Sequence, residues 1–408
     1  MPITRSPLIM LRIFLPFAAG YFISYLYRVV NAVISPDLVS ELALNPSSLG
    51  LLTAAYFISF AAAQLPLGVL LDRFGPRRIE GLLLLVAAMG AWWFSRAHDL
   101  TGLIIGRALI GFGVSACLMA AFTAFVTWFP RHRLPLVNGI QMAAGGMGAL
   151  AATAPVEALL TVTDWRGLFG GLAVTTAAVG IAVFVVVPKK PPAASGASLK
   201  ESAAGIAAVF SDARFWRITP VTVMSQAAFL SIQGLWAGPW LRDVMGLERM
   251  AAAKILLLVA VAMVAGFLTL GMVSSRVNRS GQRPHSAPVG GMLLFMTVQA
   301  LLLLRPPLPA AVQWMAFGFF GTSGILSYAA LSQQFPPALA GRVNTGINLL
   351  VFVAAFICQW GIGAIIQWWP HRAAGVYATE GYLAAFGVML ALQAAAMIWF
   401  WVSGRRGG

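Results

Sequence analysis

The sequence predicts an all-α integral membrane protein, with twelve transmembrane helices in two pseudo-symmetric six-helix bundles. Three observations carry this. The 408 residues are 60% hydrophobic and only 10% charged, with a mean hydropathy of +0.84, where soluble domains carry about a quarter charged residues. Apolar runs of roughly 20 residues recur along the whole length, each able to cross about 30 Å of hydrocarbon as a helix. One polar stretch, "KKPPAASGASLKESAAG" from Lys189, divides six such runs from six.

The N-terminal bundle (1–188) holds spans near 9–35, 49–71, 79–97, 101–128, 135–160 and 166–188. Span 1 is apolar except for one stripe: Tyr21, Ser24, Tyr25, Arg28, Asn31 and Ser35 recur at three- and four-residue spacing, on one helix face. No small-x-small cleavage site follows this run, so it is expected to stay as a span and not to be removed as a signal peptide. Span 2 leads into "GVLLDRFGPRR" and then the apolar span 3. Span 4 carries Arg107 and leads into "WFPRHRLPLVNG". Span 5 contains "GGMG", which with Gly139 reads as close packing, and "WRGLF" opens span 6.

The segment 189–212 reads as a cytoplasmic linker, too rich in Pro, Ala, Gly, Ser and Lys to insert. The C-terminal bundle (213–408) holds spans near 213–241, 250–274, 286–305, 309–334, 342–370 and 377–403. Span 7 places Gln226, Gln233, Trp236 and Trp240 at helical intervals, the indoles suiting either a cavity wall or an interfacial belt. Span 8 ends in "GMVSSRVNRSGQR", which echoes the loop after span 2. Span 10 sets Tyr328 and Ser332 along a glycine face (Gly321, Gly324). It leads into "QFPPALAGRVNTG", which echoes the loop after span 4, with Asn138 and Asn344 each eight residues past a proline. These matching loops are an internal repeat of six spans. Spans 9, 11 and 12 are read from apolarity and length alone.

The net charge of +15 sets topology and does not point to nucleic acid. Of 27 Lys and Arg residues, 18 fall in the loops that share a side with the N-terminus and 7 in the opposite loops. The positive-inside rule then places both termini in the cytoplasm, in a bacterial-type inner membrane. Cys117 and Cys358 lie far apart inside apolar runs, so they read as packing residues, with no metal and no cofactor expected.

Two cations inside the membrane carry the functional reading. Arg28 lies nine residues, about 13 Å, inside Asp37, and Arg107 lies eight residues, about 12 Å, inside Asp99. An intramembrane charge costs at least about 2.5 to 3.5 kcal/mol, which makes each a functional candidate. Guanidinium matches carboxylate, sulfonate or phosphate in bidentate fashion. The expected substrate site is therefore Arg28 with Tyr21, Tyr25, Asn31, Arg107, Gln226, Gln233, Trp236 and Tyr328. For Arg107 a structural pair with Glu157, about 10 Å inside Asp164, stays open as the alternative. Asn138 and Asn344 read as hydrogen bonds between helices.

The run Gly68-x-Leu-x-Asp72-Arg73-x-Gly75-x-Arg77-Arg78 resembles the major facilitator superfamily's signature between spans 2 and 3, and Arg107-x-x-x-Gly111-x-Gly113 is similar to its span 4 motif. The resemblance covers nearly the whole chain. It implies two bundles that rock about a central cavity lined by spans 1, 4, 7 and 10. It also implies that Gly68, Asp72, Arg73, Gly75, Arg77 and Arg78 gate the cytoplasmic side, Gly68 allowing close helix approach and Asp72 accepting from a helix N-terminus or pairing with Arg73 or Arg77.

The tyrosine stripe, arginine and Pro-Asp-Leu of span 1 resemble the anion:cation symporter and organophosphate antiporter branches, where a span 1 arginine is thought to hold the substrate anion. Tyr27 and Val114 stand where proton-coupled members for acidic sugars carry acids, and Ser231, Ile232 and Gln233 stand near where organophosphate antiporters carry a second arginine. Asp37 and Glu157 remain as coupling candidates, since all four histidines lie in loops or at span ends. The expected function is secondary active transport of a small organic anion, carboxylate or sulfonate, by alternating access. The protein is expected to work as a monomer without enzymatic activity, with the coupling ion open between proton and sodium. Proton-coupled efflux of drugs or metabolites is the alternative, though span 5 has the glycines of such exporters in the wrong order. A non-transporting membrane sensor is the second alternative.

Overall fold

A computed structural model describes residues 7–129, 134–189, 199–279, 286–370 and 376–405. Span 1 is two helices, α1 (Pro7–Val29) and α2 (Asn31–Leu42), meeting at a bend of 46°. Pro36 inside α2 cannot donate to the Ala32 carbonyl, which loosens this turn. The backbone of Gly238 from span 7 packs against that same carbonyl. Span 2 is α3 (Pro46–Phe74), capped by Asn45, whose side chain accepts from the Ser48 amide at 2.8 Å. Gly75, at φ 80°, both ends α3 and starts α4 (Pro76–Arg96). That left-handed turn is why the signature carries glycine there.

Span 4 comprises α5 (Leu100–Gly113) and α6 (Cys117–Trp128), and span 5 comprises α7 (Leu134–Ala151) and α8 (Ala154–Leu159). Span 6 is α9 (Trp165–Val186), whose N-cap Asp164 accepts from Gly167 at 2.7 Å. The predicted linker is helical over α10 (Leu199–Phe210). Its alanines and Glu are good helix formers, and the Phe210 ring packs on Phe215 and Trp216.

Span 7 runs through α11 (Ala213–Ser231), a π-helical turn (Ile232–Trp236) and α12 (Ala237–Asp243). Spans 8 and 9 are α13 (Arg249–Arg279) and α14 (Ser286–Leu304). Span 10 is α15 (Ala310–Gly321), a 3₁₀ turn (Thr322–Ile325) and α16 (Leu326–Ser332). Spans 11 and 12 are α17 (Pro337–Ile366) and α18 (Thr379–Arg405). Among the described residues nine helical stretches are long and apolar enough to cross a membrane, or ten with the bent α1–α2 pair. The remaining two crossings, spans 5 and 7, are assembled from shorter pieces.

The bundles meet chiefly along α3 and α17. Phe60 stacks on Phe352 at 4.1 Å, Asn348 donates to Gln64 at 3.1 Å, and Gln359 donates to the Thr53 hydroxyl at 2.7 Å. Polar side chains bonded across the seam in this way fix the register of two apolar helices. Cys117 and Cys358 are both buried and unbridged, as expected of packing residues.

Candidate substrate site between the bundles

Arg28 sits in the last turn of α1, just before the bend. Its guanidinium carbon lies 4.5 Å from the Tyr25 ring centroid, 5.3 Å from Phe352 and 5.6 Å from Phe60. Phe352 belongs to α17, so the cation stands where the bundles meet. Tyr21, Tyr25 and Tyr56 are within its electrostatic reach, and so is Tyr328 of α16. The residue is 9% exposed, its Nε has no hydrogen-bond partner, and no carboxylate pairs with it among the described residues. Aromatic faces stabilise a desolvated cation by about 2 kcal/mol. They do so without neutralising it, so the guanidinium keeps its full charge at the seam.

Arg107 is differently engaged. It is 1% exposed, its Nη1 donates to the Tyr27 carbonyl at 3.1 Å, and its guanidinium carbon lies 5.2 Å from the Tyr56 ring. Tyr56 thus stands between the two arginines. Glu157 is not its partner: Glu157 Oε1 lies 2.8 Å from Arg249 Nε. Counting helical rise back from Asp164 misled here, because α7 stops at Ala151 and α8 restarts at Ala154, in contact with α13.

Of the other expected residues, Tyr21 and Tyr25 form an edge-to-face pair at 5.2 Å beside Arg28, and the Tyr328 hydroxyl reaches Asn348 Oδ1 at 3.5 Å. Asn31 opens α2 about one turn on, with both amide atoms buried and unpartnered. Gln226 instead donates to the Gly321 carbonyl at 3.1 Å, inside the C-terminal bundle. Gln233 contacts the Met263 sulfur at 3.4 Å, within the π turn that abuts the Arg28 carbonyl at Gly234. Trp236 donates to the Gln359 carbonyl at 3.0 Å and Trp240 stacks on Phe386 at 4.6 Å. Both indoles are fully buried, so neither forms an interfacial belt. Asn138 and Asn344 share a state, each with its Oδ1 buried and unpartnered.

Sequence reasoning passed over Tyr56, Phe60, Gln64, Asn348 and Phe352, which surround or brace Arg28 from spans 2 and 11. It also passed over Glu80 of α4, which is 0% exposed with neither carboxyl oxygen hydrogen-bonded.

The sequence matches the family described as Major Facilitator Superfamily over residues 17–358. The chain belongs to the major facilitator superfamily. Among curated relatives, a probable sulfoacetate transporter of Cupriavidus necator is 24% identical over 83% of this chain and 84% of its own length. A probable L-galactonate transporter of Escherichia coli K12 is 28% identical over 36% of this chain and 32% of its own. A nitrate/nitrite transporter of Nostoc punctiforme is 26% identical over 42% and 36%. Among solved structures, a bacterial homologue of the human lysosomal transporter Spinster, inward-facing and unoccupied, superposes with a TM-score of 0.78 at 14% identity, covering 98% of both chains. A D-xylose–proton symporter gives 0.74 at 15% identity, covering 96% of this chain and 97% of its own. This chain is a membrane transporter, not an enzyme, and a multi-pass protein of a bacterial inner membrane with a small-molecule substrate.

The two ends of this major facilitator differ. At the Asp37 end, Arg249 of α13 donates from Nη1 and Nη2 to the two Asp37 oxygens of α2 at 2.7 and 2.8 Å and also meets Glu157. Arg242 reaches Ser35 at 3.4 Å nearby. These contacts tie one bundle to the other. At the signature end, a Cβ added at Gly68 would find no atom of the described residues within 4 Å, so the close helix approach expected there is not made among them. Arg73 lies over its neighbour Phe74 at 5.3 Å, and Arg78 is exposed. Arg77 donates through Nε to the Phe184 carbonyl of α9 at 2.8 Å, a bond within the N-terminal bundle. The Asp72 side chain lies outside the described residues.

Proposed function

We propose that this protein is a secondary active transporter that moves a small organic anion, carboxylate or sulfonate, across the inner membrane by alternating access. The buried guanidinium of Arg28 at the bundle interface, with no carboxylate paired to it among the described residues, carries the reading. The names of the relatives point the same way, since sulfoacetate, galactonate and nitrate are all anions. Tyr21, Tyr25, Tyr56 and Tyr328 supply phenols around the bound anion, and Phe60 with Phe352 closes it off from water. Arg107 holds span 4 to span 1 through the Tyr27 carbonyl and adds positive potential behind Tyr56.

The Asp37–Arg249–Glu157 cluster is the gate that is shut in this conformation, and the signature loop from Gly68 to Arg78 is the gate that stands apart. With both termini cytoplasmic, the shut gate faces outward. Asp37 and Glu157 therefore act first as gate residues, each chain working as a monomer with its own cavity.

The test is counterflow of labelled sulfoacetate in proteoliposomes. Wild-type protein should exchange sulfoacetate and be inhibited by competing small carboxylates and sulfonates. Arg28→Ala should not exchange at matched protein density. Exchange that favours hydrophobic cations and ignores anions would overturn the reading in favour of efflux.

A further inference from the structure

We infer that Glu80 is the proton-binding site that couples anion movement to a proton, an assignment that rests on Arg28 as the anion site. Glu80 lies one turn into α4, wholly buried, with both carboxyl oxygens unpartnered among the described residues. It faces Gly20 of α1, where any β-carbon would collide with Oε1. Glycine there keeps a pocket for the carboxyl against span 1. A carboxylate buried without a cation or hydrogen bond is among the costliest groups a membrane protein can hold, and the ordinary outcome is that it takes a proton. Its persistence at such a cost calls for a role.

The groups around it leave that role to the proton. From α6 the Cys117 thiol is in electrostatic contact with it. On the other neighbours, Arg77 is bonded to the Phe184 carbonyl, Arg166 of α9 to Glu41, Arg107 of α5 to the Tyr27 carbonyl, and Arg73 of α3 lies over Phe74. Arg12 and Arg28 are the charges of α1, and Arg12 is exposed.

Coupling then follows from electrostatics without a relay. Glu80 sits against Gly20, eight residues or about 12 Å along α1 from Arg28. At that separation two unit charges in protein interact enough to change an affinity roughly tenfold. An empty Arg28 favours ionised Glu80. A bound anion cancels that field and favours the acid. By reciprocity, protonated Glu80 makes the anion bind roughly tenfold tighter. In the proton step one aqueous H⁺ adds to the Glu80 carboxylate as the anion binds, and the acid returns it to water when the anion leaves. Tyr27 and Val114 offer no carboxyl for this step, and Glu80 does.

The test uses purified full-length protein in lipid, sulfoacetate as probe and two readouts. In the first, sulfoacetate affinity and proton uptake on binding are measured across neutral to mildly alkaline pH. Wild-type affinity should fall with rising pH and binding should take up protons. Glu80→Gln, which mimics the protonated form, should bind with the acid-side affinity at every pH, exchange sulfoacetate in counterflow, and fail to accumulate it on a proton gradient. An unchanged pH profile, proton uptake or gradient-driven accumulation in Glu80→Gln overturns the assignment. The second readout is the infrared carboxylic-acid band of the protein alone. It should be present in wild type, fade in alkali and be missing from Glu80→Gln. Its absence from wild type overturns the assignment whatever the ligand. If wild type binds neither sulfoacetate, galactonate nor nitrate, the anion reading of Arg28 fails, while the infrared band still decides where the proton sits.

Discussion

Arg249→Ala should open the gate at the Asp37 end. One guanidinium there holds two carboxylates from the opposite bundle, at 2.7 and 2.8 Å to Asp37 and 2.8 Å to Glu157. The side chains are 35% exposed for Arg249, 30% for Asp37 and 10% for Glu157. A fully exposed pair is worth about 0.2–1 kcal/mol, and removing one partner of a buried pair costs about 3–5 kcal/mol. Part exposure places this cluster between those limits, and some of the loss is shared by both conformations. A bias of roughly 1–2 kcal/mol between the two states follows, a factor of about 5–30 in their populations. Spin labels at Ser40 and Glu248, both exposed and on opposite bundles beside the cluster, would report it. The buried native cysteines can be replaced in the background. Pulsed electron-spin distances should gain a long population in Arg249→Ala, and Arg249→Lys should restore part of the short one. A distance distribution identical to wild type in Arg249→Ala would refute the reasoning that this cluster holds the bundles together.

Further outcomes test the scaffold. Gly148→Ala should lower thermal stability by roughly 1–3 kcal/mol, because an added β-carbon meets the Phe22 carbonyl of α1 and one of the two helices must move; an unshifted melting temperature would show that span 5 does not rest on span 1 there. Tyr27→Phe should cost about 1 kcal/mol through its lost bond to Thr176 (2.9 Å) and leave sulfoacetate affinity within twofold, as read by thermal melting and equilibrium binding. Gly75→Ala should reduce the yield of folded protein, measured by fluorescence-detected gel filtration, because an alanine at φ 80° strains the turn between α3 and α4 by about 1 kcal/mol.

Much of this was legible in the residues themselves. Apolar run length located the spans, and the 3.6-residue period of Tyr21, Ser24, Tyr25 and Arg28 marked the face on which Arg28 meets the tyrosines. What escaped depends on breaks in that period. Span 5 stops at Ala151 and restarts at Ala154, which carries Glu157 to Arg249. The π turn at Ile232–Trp236 adds a residue to one turn, so Trp236 and Trp240 do not continue the face of Gln226. Phe60 and Phe352 look like ordinary lipid-facing residues until two distant spans are brought together. Glu80 follows Arg77, Arg78 and Ile79 and reads as a charge at a span edge; its burial, with Oε1 against Gly20, comes only from the assembled bundle. The run from Gly68 to Arg78 was legible as a family signature, but a motif does not say in which conformation its residues engage.

In the proposed mechanism Arg28 holds the anion and Arg107 does not touch it. The direct measurement is equilibrium binding of sulfoacetate to purified wild type, Arg28→Ala and Arg107→Lys. Truncating one partner of a desolvated ion pair costs about 2–5 kcal/mol, so Arg28→Ala should weaken binding by roughly thirtyfold or more, while Arg107→Lys should stay within a few-fold of wild type. Unchanged affinity in a folded Arg28→Ala protein would contradict the account.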